Sequence, residues 1–269
     1  MKKILIIGKR GFLGKNLYKN LKKKFKCKLI SFNQLYIFKK NINKFDFIIN
    51  CSINKQYIKK KYNYKFDNDL KISRLINNKN IKYIFLSSRK VYKCKANIKE
   101  NNKLLPKSNY SKNKLISEKK LSKRFRDNLI VLRVSNIIGN RSKRKKYLHQ
   151  TFIDVFFDNA KKGFIYENKN QFKDFISIDK FCQIIFEIIR KDICGIYNVS
   201  IGKKINTSSI VKWLNYYNPK KCKVLSNKKK IENQNFYLNN EKLMSKIKIK
   251  NTIGELKKYC LKLSRDKFR

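Results

Sequence analysis

The chain has 269 residues, with 69 Lys and Arg against 17 Asp and Glu and a net charge of +52. That length allows one large domain, or one domain with a small lobe, and a core that folds without a disulfide or metal. Seven cysteines, an odd number with no C-x-x-C pair, exclude a disulfide framework and a zinc site, leave no metal site to expect, and fit a reducing cytoplasm. The lysines run through the whole chain, alongside an excess of Ile, Asn, Phe and Tyr, while alanine occurs only as Ala96 and Ala160. All the enriched types have A/T-rich codons and alanine does not. The charge therefore reads first as coding drift and only second as selection for a polyanion, although it favours an anionic substrate such as a diphosphate.

In chain order, the apolar run 4–7 is too short for a signal peptide and reads as a buried first strand. Phe12, Leu13, Leu17 and Leu21 follow at helical spacing. Strands are expected at 28–32, 45–50, 82–87 and 129–134, with a helix around Leu70, Leu75 and Ile76 and a lysine-rich helix from about Tyr110. This alternation predicts an α/β fold whose parallel sheet carries helices on both faces and ligands at the strands' C-terminal edge. Beyond residue 133 the rhythm loosens. A basic loop is expected at 136–147, helices at 148–160, 179–190, 207–217 and 252–263, and a strand at 195–199. The predicted organisation is a main domain of 1–133 plus about 174–199, and a smaller mixed C-terminal lobe of about 134–173 plus 200–269. One or two segments near 174–199 are expected to rejoin the main sheet. No run approaches a membrane span.

The segment Gly8-Lys9-Arg10-Gly11-Phe12-Leu13-Gly14 carries G-x-x-G-x-x-G between a strand and a helix. Gly8 allows the tight turn, Gly11 lets backbone approach a pyrophosphate, and Gly14 lets helix and strand pack closely. The phosphates then sit on the helix N-terminus, where N–H groups and the dipole favour negative charge. This marks a Rossmann-type doubly wound sheet with a dinucleotide, NAD or NADP. After Leu29 and Ile30 come Ser31, Phe32 and Asn33, with no acid to hold the NAD ribose, and Lys39 and Lys40 follow; this leans toward NADP.

Three further features meet. Tyr110 and Lys114 form Y-x-x-x-K at a predicted helix start, one turn apart on one face. A free tyrosine, with a pKa of about 10, is a weak acid/base near neutrality, and a nearby ammonium favours the phenolate. Ser88 stands at the C-terminal end of a strand, where a hydroxyl can serve the same oxygen as Tyr110. The segment Leu132-Arg133-Val134-Ser135-Asn136-Ile137-Ile138-Gly139 again runs from strand into loop.

Together these segments resemble the extended short-chain dehydrogenase/reductase superfamily, the NAD-dependent epimerase/dehydratase family of nucleotide-sugar epimerases and reductases. The likeness runs from Met1 to about residue 255. It implies that Gly8, Gly11, Phe12, Leu13, Gly14, Cys51 and Ser52 line the cofactor, the last two closing the segment from Ile48 that matches the family's fourth strand. Asn68 matches a helix asparagine that precedes the active-site strand. Ser88, Tyr110 and Lys114 fall on the catalytic set, with Tyr110 and Lys114 also touching the cofactor. Ser88, Asn136 and Lys173 would contact substrate, Lys173 replacing the family arginine of R-D-F-I-x-V-D. Gly195-Ile196-Tyr197-Asn198-Val199 resembles the late G-x-Y-N-V strand. The implied substrate is a nucleotide-linked sugar, changed by 4-keto reduction or C4 epimerisation in a cytoplasmic enzyme. Dehydratases of the family carry Asp-Glu after the active-site Ser/Thr, and decarboxylases a nearby Glu; Arg89 and Lys90 stand there instead, which argues against both. Reduction is slightly favoured over epimerisation because the chain is short. His149, the only histidine, reads first as a surface or core residue and second as a proton donor. Arg141, Lys143, Arg144, Lys145 and Lys146 read equally as a diphosphate clamp and as a solvated loop. The competing function is a non-catalytic or regulatory protein of the same fold that binds a polyanion such as RNA; the intact Ser88, Tyr110 and Lys114 set favours the enzyme. No specific nucleic-acid or membrane partner is expected, and a homodimer is one assembly open to the chain.

Overall fold

The computed structural model describes residues 1–140, 152–167, 170–220, 222–226 and 235–268. The first half runs β1 (Lys3–Ile7), α1 (Phe12–Leu21), β2 (Lys26–Ile30), α2 (Leu35–Phe38), β3 (Phe47–Asn50), α3 (Lys55–Lys59), α4 (Asn68–Ser73), β4 (Lys82–Ser88), α5 (Asn109–Phe125) and β5 (Leu129–Val134). The second half runs β6 (Asn136–Ile138), α6 (Phe152–Lys161), β7 (Phe164–Glu167), β8 (Phe172–Lys173), β9 (Phe175–Ser177), α7 (Ile178–Lys191), β10 (Gly195–Val199), β11 (Ile205–Asn206), α8 (Thr207–Asn215), β12 (Lys223–Ser226), α9 (Glu241–Ile247) and α10 (Ile253–Phe268). Six strands form one parallel sheet in the order β10-β5-β4-β3-β1-β2. The chain steps from β1 out to β2, then recrosses to β3 and beyond. The crevice at the switch point therefore opens between the C-terminal ends of β1 and β3, where an open α/β sheet binds ligands.

The strands are apolar without interruption because both faces of the sheet are covered. Side chains alternate between two cores, as the strand period requires. Ile4, Ile6, Phe47, Ile49, Ile84 and Ile130 meet Leu17 and Leu21 of α1 and Phe181, Ile185 and Ile188 of α7. Leu5, Ile7, Ile48, Tyr83, Phe85 and Val131 meet Leu70 and Ile72 of α4 and Leu121 of α5. A third core gathers Phe156, Phe157, Ile210, Leu214, Leu256 and Leu263 from α6, α8 and α10. The short pairs β6–β9, β7–β12 and β8–β11 lie outside the main sheet. Among the described residues no helix is long and apolar enough to cross a membrane.

Several elements differ from the sequence expectation. The segment 48–52 matched to the family's fourth strand runs out of β3, third in chain order. Between it and β2 the chain coils into helical turns, started by Ser31 and Gln34, which cap each other reciprocally. The second strand ends at Ile30, two residues early, for the same reason. Helix α4 stops at Ser73, before Leu75 and Ile76. Asn43 captures that stop, accepting from the backbone N–H of Asn77 and Asn78 at 2.8 and 3.0 Å. Asn136–Ile138, expected as loop, forms β6 beside β9; the rest of that loop from 141 lies outside the described residues. Of the segments near 174–199, β10 joins the main sheet beside β5, while β9 does not.

A buried polar network ties the sheet's active edge together. Arg133 of β5 faces Glu118 of α5, with Nη2 2.8 Å from Oε2, and both side chains are buried. The hydroxyl of Ser87 donates to the same carboxylate. Arg133 also donates to the Tyr92 hydroxyl at 2.8 Å and to the Glu100 carbonyl at 3.0 Å. Tyr92 donates to Asn198 of β10 at 3.0 Å, and Asn198 reaches the carbonyls of Ile98 and Asn239. Four elements and two loops are thereby fixed by one ion pair. Glu118→Gln leaves the Arg133 charge buried without its counter-charge and should cost about 3–5 kcal/mol in chemical denaturation. Replacing the pair by Leu and Met should recover much of that loss; an unchanged Glu118→Gln would show that the pair holds nothing.

Candidate active site

The glycine loop closes over the switch point. Gly8 and Lys9 donate backbone N–H bonds to the Ile30 carbonyl at 2.7 and 3.0 Å, and Cys51 donates to Ile7 at 2.7 Å. The ends of β1, β2 and β3 are thus strapped together. Gly8 has φ +129°, and a Cβ there would lie 3.0 Å from the Cys51 backbone. A Cβ on Gly14 would lie 2.5 Å from the Gly8 carbonyl oxygen, so α1 can approach the loop only with glycine there. Helix α1 starts at Phe12 with no side-chain cap and no acid in its first turn, which suits an anion at its N-terminus. Cys51 and Ser52 border the crevice. Ser52 is held by Asn50, whose Oδ1 accepts from its backbone N–H at 2.9 Å and its hydroxyl at 2.6 Å, and Asn68 donates to Ser52 Oγ at 3.0 Å.

Ser88 ends β4. The two serines of that strand point opposite ways: Ser87 is buried against Glu118, whereas Ser88 is half-exposed at the edge. Ser108 caps α5, and Tyr110 and Lys114 stand in its first turns. Asn113 between them donates to the carbonyls of Tyr57 and Lys60 at 2.8 and 2.9 Å, which pins the start of α5 to α3. Lys90 links serine and tyrosine. Its backbone N–H donates to Ser88 Oγ at 3.2 Å, and its ammonium lies 6.0 Å from the Tyr110 ring centre. Lys114 is buried, its ammonium 3.8 Å from the Asp69 carboxylate and over the rings of Phe85 and Tyr57 at 4.5 and 5.6 Å. Asp69 also accepts from Tyr83 at 2.9 Å. Below, Tyr57 shares a 2.7 Å hydrogen bond with Ser117, which donates to Asp67 at 2.6 Å.

Asn136 lies on β6 and donates to the Asp174 carbonyl at 3.0 Å. Lys173 lies next to it on β8, paired with Ile205. Asp174 is buried and accepts from the N–H groups of Leu238 and Gly202 at 3.0 and 3.2 Å; burial still pushes its carboxyl up to about 7. Arg89 lies over the Phe236 ring at 3.9 Å and donates to Cys94 Sγ at 3.1 Å. Ser88, Tyr110 and Lys114 thus share one sheet edge with Lys90, and the glycine loop, Cys51 and Ser52 stand at the neighbouring crevice. His149 and the basic group Arg141, Lys143, Arg144, Lys145 and Lys146 lie outside the described residues. Sequence reasoning missed Tyr57, Asp67 and Asp69. The two acids had one available signal, scarcity: in a chain with 17 of them, a pair bracketing Asn68 at a helix start was conspicuous, while nothing marked Tyr57.

The model of the NAD dependent epimerase/dehydratase family matches residues 4–200. The chain belongs to that family. A search of curated proteins gave no match. Among solved structures, the chain is similar to UDP-N-acetylglucosamine 4-epimerase from Methanobrevibacter ruminantium M1, in complex with UDP-N-acetylmuramic acid. The TM-score is 0.80 at 20% identity, covering 98% of this chain and 97% of that one. It is similar to a dTDP-4-dehydrorhamnose reductase from Clostridium acetobutylicum ATCC 824, with TM-score 0.75, 16% identity, and 96% and 98% of the two chains covered. It is also similar to RMD from Pseudomonas aeruginosa complexed with NADPH, with TM-score 0.77, 15% identity, and 99% and 97% covered. At these identities the likeness speaks for the fold.

Burial pushes the Asp69 carboxyl up to about 6, against the opposing pull of Lys114. The native state therefore holds this proton more tightly than the unfolded chain does. Stability from this group is full below about pH 4 and is lost as pH rises through about 6. Asp69→Asn removes the titration. Denaturation at several pH values should show wild type losing stability relative to the variant between pH 4 and 7; a constant difference would contradict the assignment.

Proposed function

We propose that the chain is an NAD(P)-dependent oxidoreductase or epimerase that exchanges hydride and proton at one carbon of a nucleotide-linked sugar, by 4-keto reduction or C4 epimerisation. The observation that carries this is the shared edge: Ser88 at the end of β4, Tyr110 at the start of α5, and Lys114 one turn on, its ammonium buried on Asp69. A polyanion-binding surface has no use for a buried ammonium beside a half-buried tyrosine at a strand end.

The residues present fit the cofactor. A Cβ at Gly14 would fill the cradle between α1 and the loop, and the uncapped α1 start suits a pyrophosphate. Phe12 and Leu13 would offer N–H groups, Gly8, Gly11 and Gly14 the close approach, and Cys51 and Ser52 the opposite wall. No carboxylate stands at the end of β2, and Lys9 is hydrogen-bonded there with exposed Arg10 beside it, which favours NADP over NAD. When bound, the nicotinamide supplies the hydride acceptor and donor. The protein's part is proton handling and orientation. Tyr110 Oη takes the proton of the sugar hydroxyl as it becomes a carbonyl and returns it in reverse. Ser88 Oγ donates to the same oxygen and fixes it. Lys114 stabilises the phenolate and holds the cofactor's ribose. Asn136 and Lys173 contact the substrate, Lys173 as a point charge rather than a fork. The segments 1–133 and about 174–199 would hold the cofactor, and about 134–173 and 200–269 the sugar nucleotide. Among the described residues no carboxylate follows Ser88 in the turn to Val91, so the site lacks the acid–base pair an elimination needs.

Tyr110→Phe should cut turnover by roughly 10²–10⁴, the size of general acid–base catalysis, with NADPH affinity unchanged in calorimetric titration. Lys114→Met should weaken both turnover and cofactor binding, and Gly14→Ala chiefly cofactor binding. Turnover of Tyr110→Phe near the wild-type rate, on whichever sugar nucleotide the protein converts, would remove this mechanism.

A further inference from the structure

Three cations converge beside Ser88. Arg89 and Lys90 form the turn that follows it, and Lys173 of β8 lies near enough to feel both charges. Burial holds all three below their ordinary ranges; Arg89 further depresses both lysines, and Lys90 further depresses Lys173. Among the described residues no carboxylate pairs with any of them. The partners of Arg89 are poor ones for a guanidinium: the Phe236 ring and the Cys94 sulfur, a weak acceptor. Its Nε is buried without a hydrogen-bond partner. Elsewhere the chain does the opposite, since its buried cations Lys114 and Arg133 each sit on a buried acid. A cationic cluster in which Arg89 and Lys173 are half-buried, Lys90 is exposed and no acid takes part is costly alone and fits an anion supplied by a ligand.

Resting on the sugar-nucleotide reading above, we infer that the sugar itself carries a carboxylate, on a position next to the reacting carbon, held by Arg89, Lys90 and Lys173. Placement separates this group from the other anions. Arg89 adjoins Ser88 in the chain, and Lys90 spans Ser88 and Tyr110, so both address the sugar at the reacting centre. The sugar's diphosphate leaves from the anomeric carbon, across the ring from C4. The cofactor's phosphates belong at α1 and the end of β2, with β1 and β3 lying between β2 and β4. A carboxylate offers two oxygens to an arginine fork and a flanking ammonium, and a neutral hydroxymethyl group cannot balance the charge.

The test is calorimetric titration of NADPH-loaded protein with matched pairs: uridine-diphosphate glucuronate against glucose, uridine-diphosphate N-acetylmuramate against N-acetylglucosamine, and guanosine-diphosphate mannuronate against mannose. The bare nucleoside diphosphates serve as a further arm. In at least one pair the acid should bind about 10-fold or more tightly than its neutral partner. Arg89→Gln with Lys90→Gln should bring that ratio near one and leave nucleoside-diphosphate affinity unchanged, and Lys173→Gln alone should lower it. Equal or better binding of the neutral sugar in every pair overturns the inference while the sugar-nucleotide reading stands. A double variant that weakens the bare diphosphate as much as the acid sugar overturns it too, assigning the cluster to phosphate. If NADPH binds and no sugar nucleotide does, the reading of the substrate falls and this inference with it.

Discussion

The chain's central constraint is what it does with buried positive charge. Of 69 lysines and arginines, only Lys114 and Arg133 are buried among the described residues. Each needs a counter-charge, because an unpaired ion taken out of water costs several kcal/mol. Glu118 meets Arg133, and Asp69 meets Lys114. Both pairs include a residue of α5 and lie at the C-terminal half of the sheet. One pair fixes the strand ends, and the other holds an ammonium one helical turn after the candidate tyrosine. Among the described residues the other lysines and arginines stay at or near the surface, which is why so high a charge is compatible with an ordinary α/β core.

The two pairs also separate the two serines of β4. Ser87 belongs to the structural network through Glu118, and Ser88 is left half-exposed at the sheet edge. One strand therefore supplies an anchor and a candidate substrate contact from adjacent residues, because successive side chains point to opposite faces. The network's reach through Tyr92 and Asn198 ties the loops at Ile98 and Asn239 to the sheet.

What was legible in the sequence was local. The glycine spacing, the apolar strands and the Y-x-x-x-K turn each follow from short-range sterics and periodicity, and they gave the α/β sheet and the grouping of Ser88, Tyr110 and Lys114. Asp69, Tyr57 and Glu118 were not legible. Their partners lie across crossovers: Asp69 meets a lysine 45 positions on, and Tyr57 a serine 60 positions on. Strand β6 was missed because three residues carry too little pattern, and the chain after β2 was misread because the Ser31 and Gln34 caps start a helical turn where a strand was expected. Arg89 and Lys90 were visible in sequence as missing acids. Only the fold showed that Lys173 joins them.

The central claim is that a hydride leaves and returns at one sugar carbon while the protein moves only the proton on oxygen. A sugar nucleotide carrying deuterium beside the hydroxyl on C4, supplied with oxidised cofactor so that a reductase runs in reverse, tests this directly, with the label followed by mass spectrometry through a turnover in water. The account predicts that the deuterium appears on the reduced nicotinamide or returns to the same sugar carbon, with none released to solvent. Loss of the label to water would mean that the carbon is deprotonated instead, and the arrangement of Ser88, Tyr110 and Lys114 would need a different chemistry.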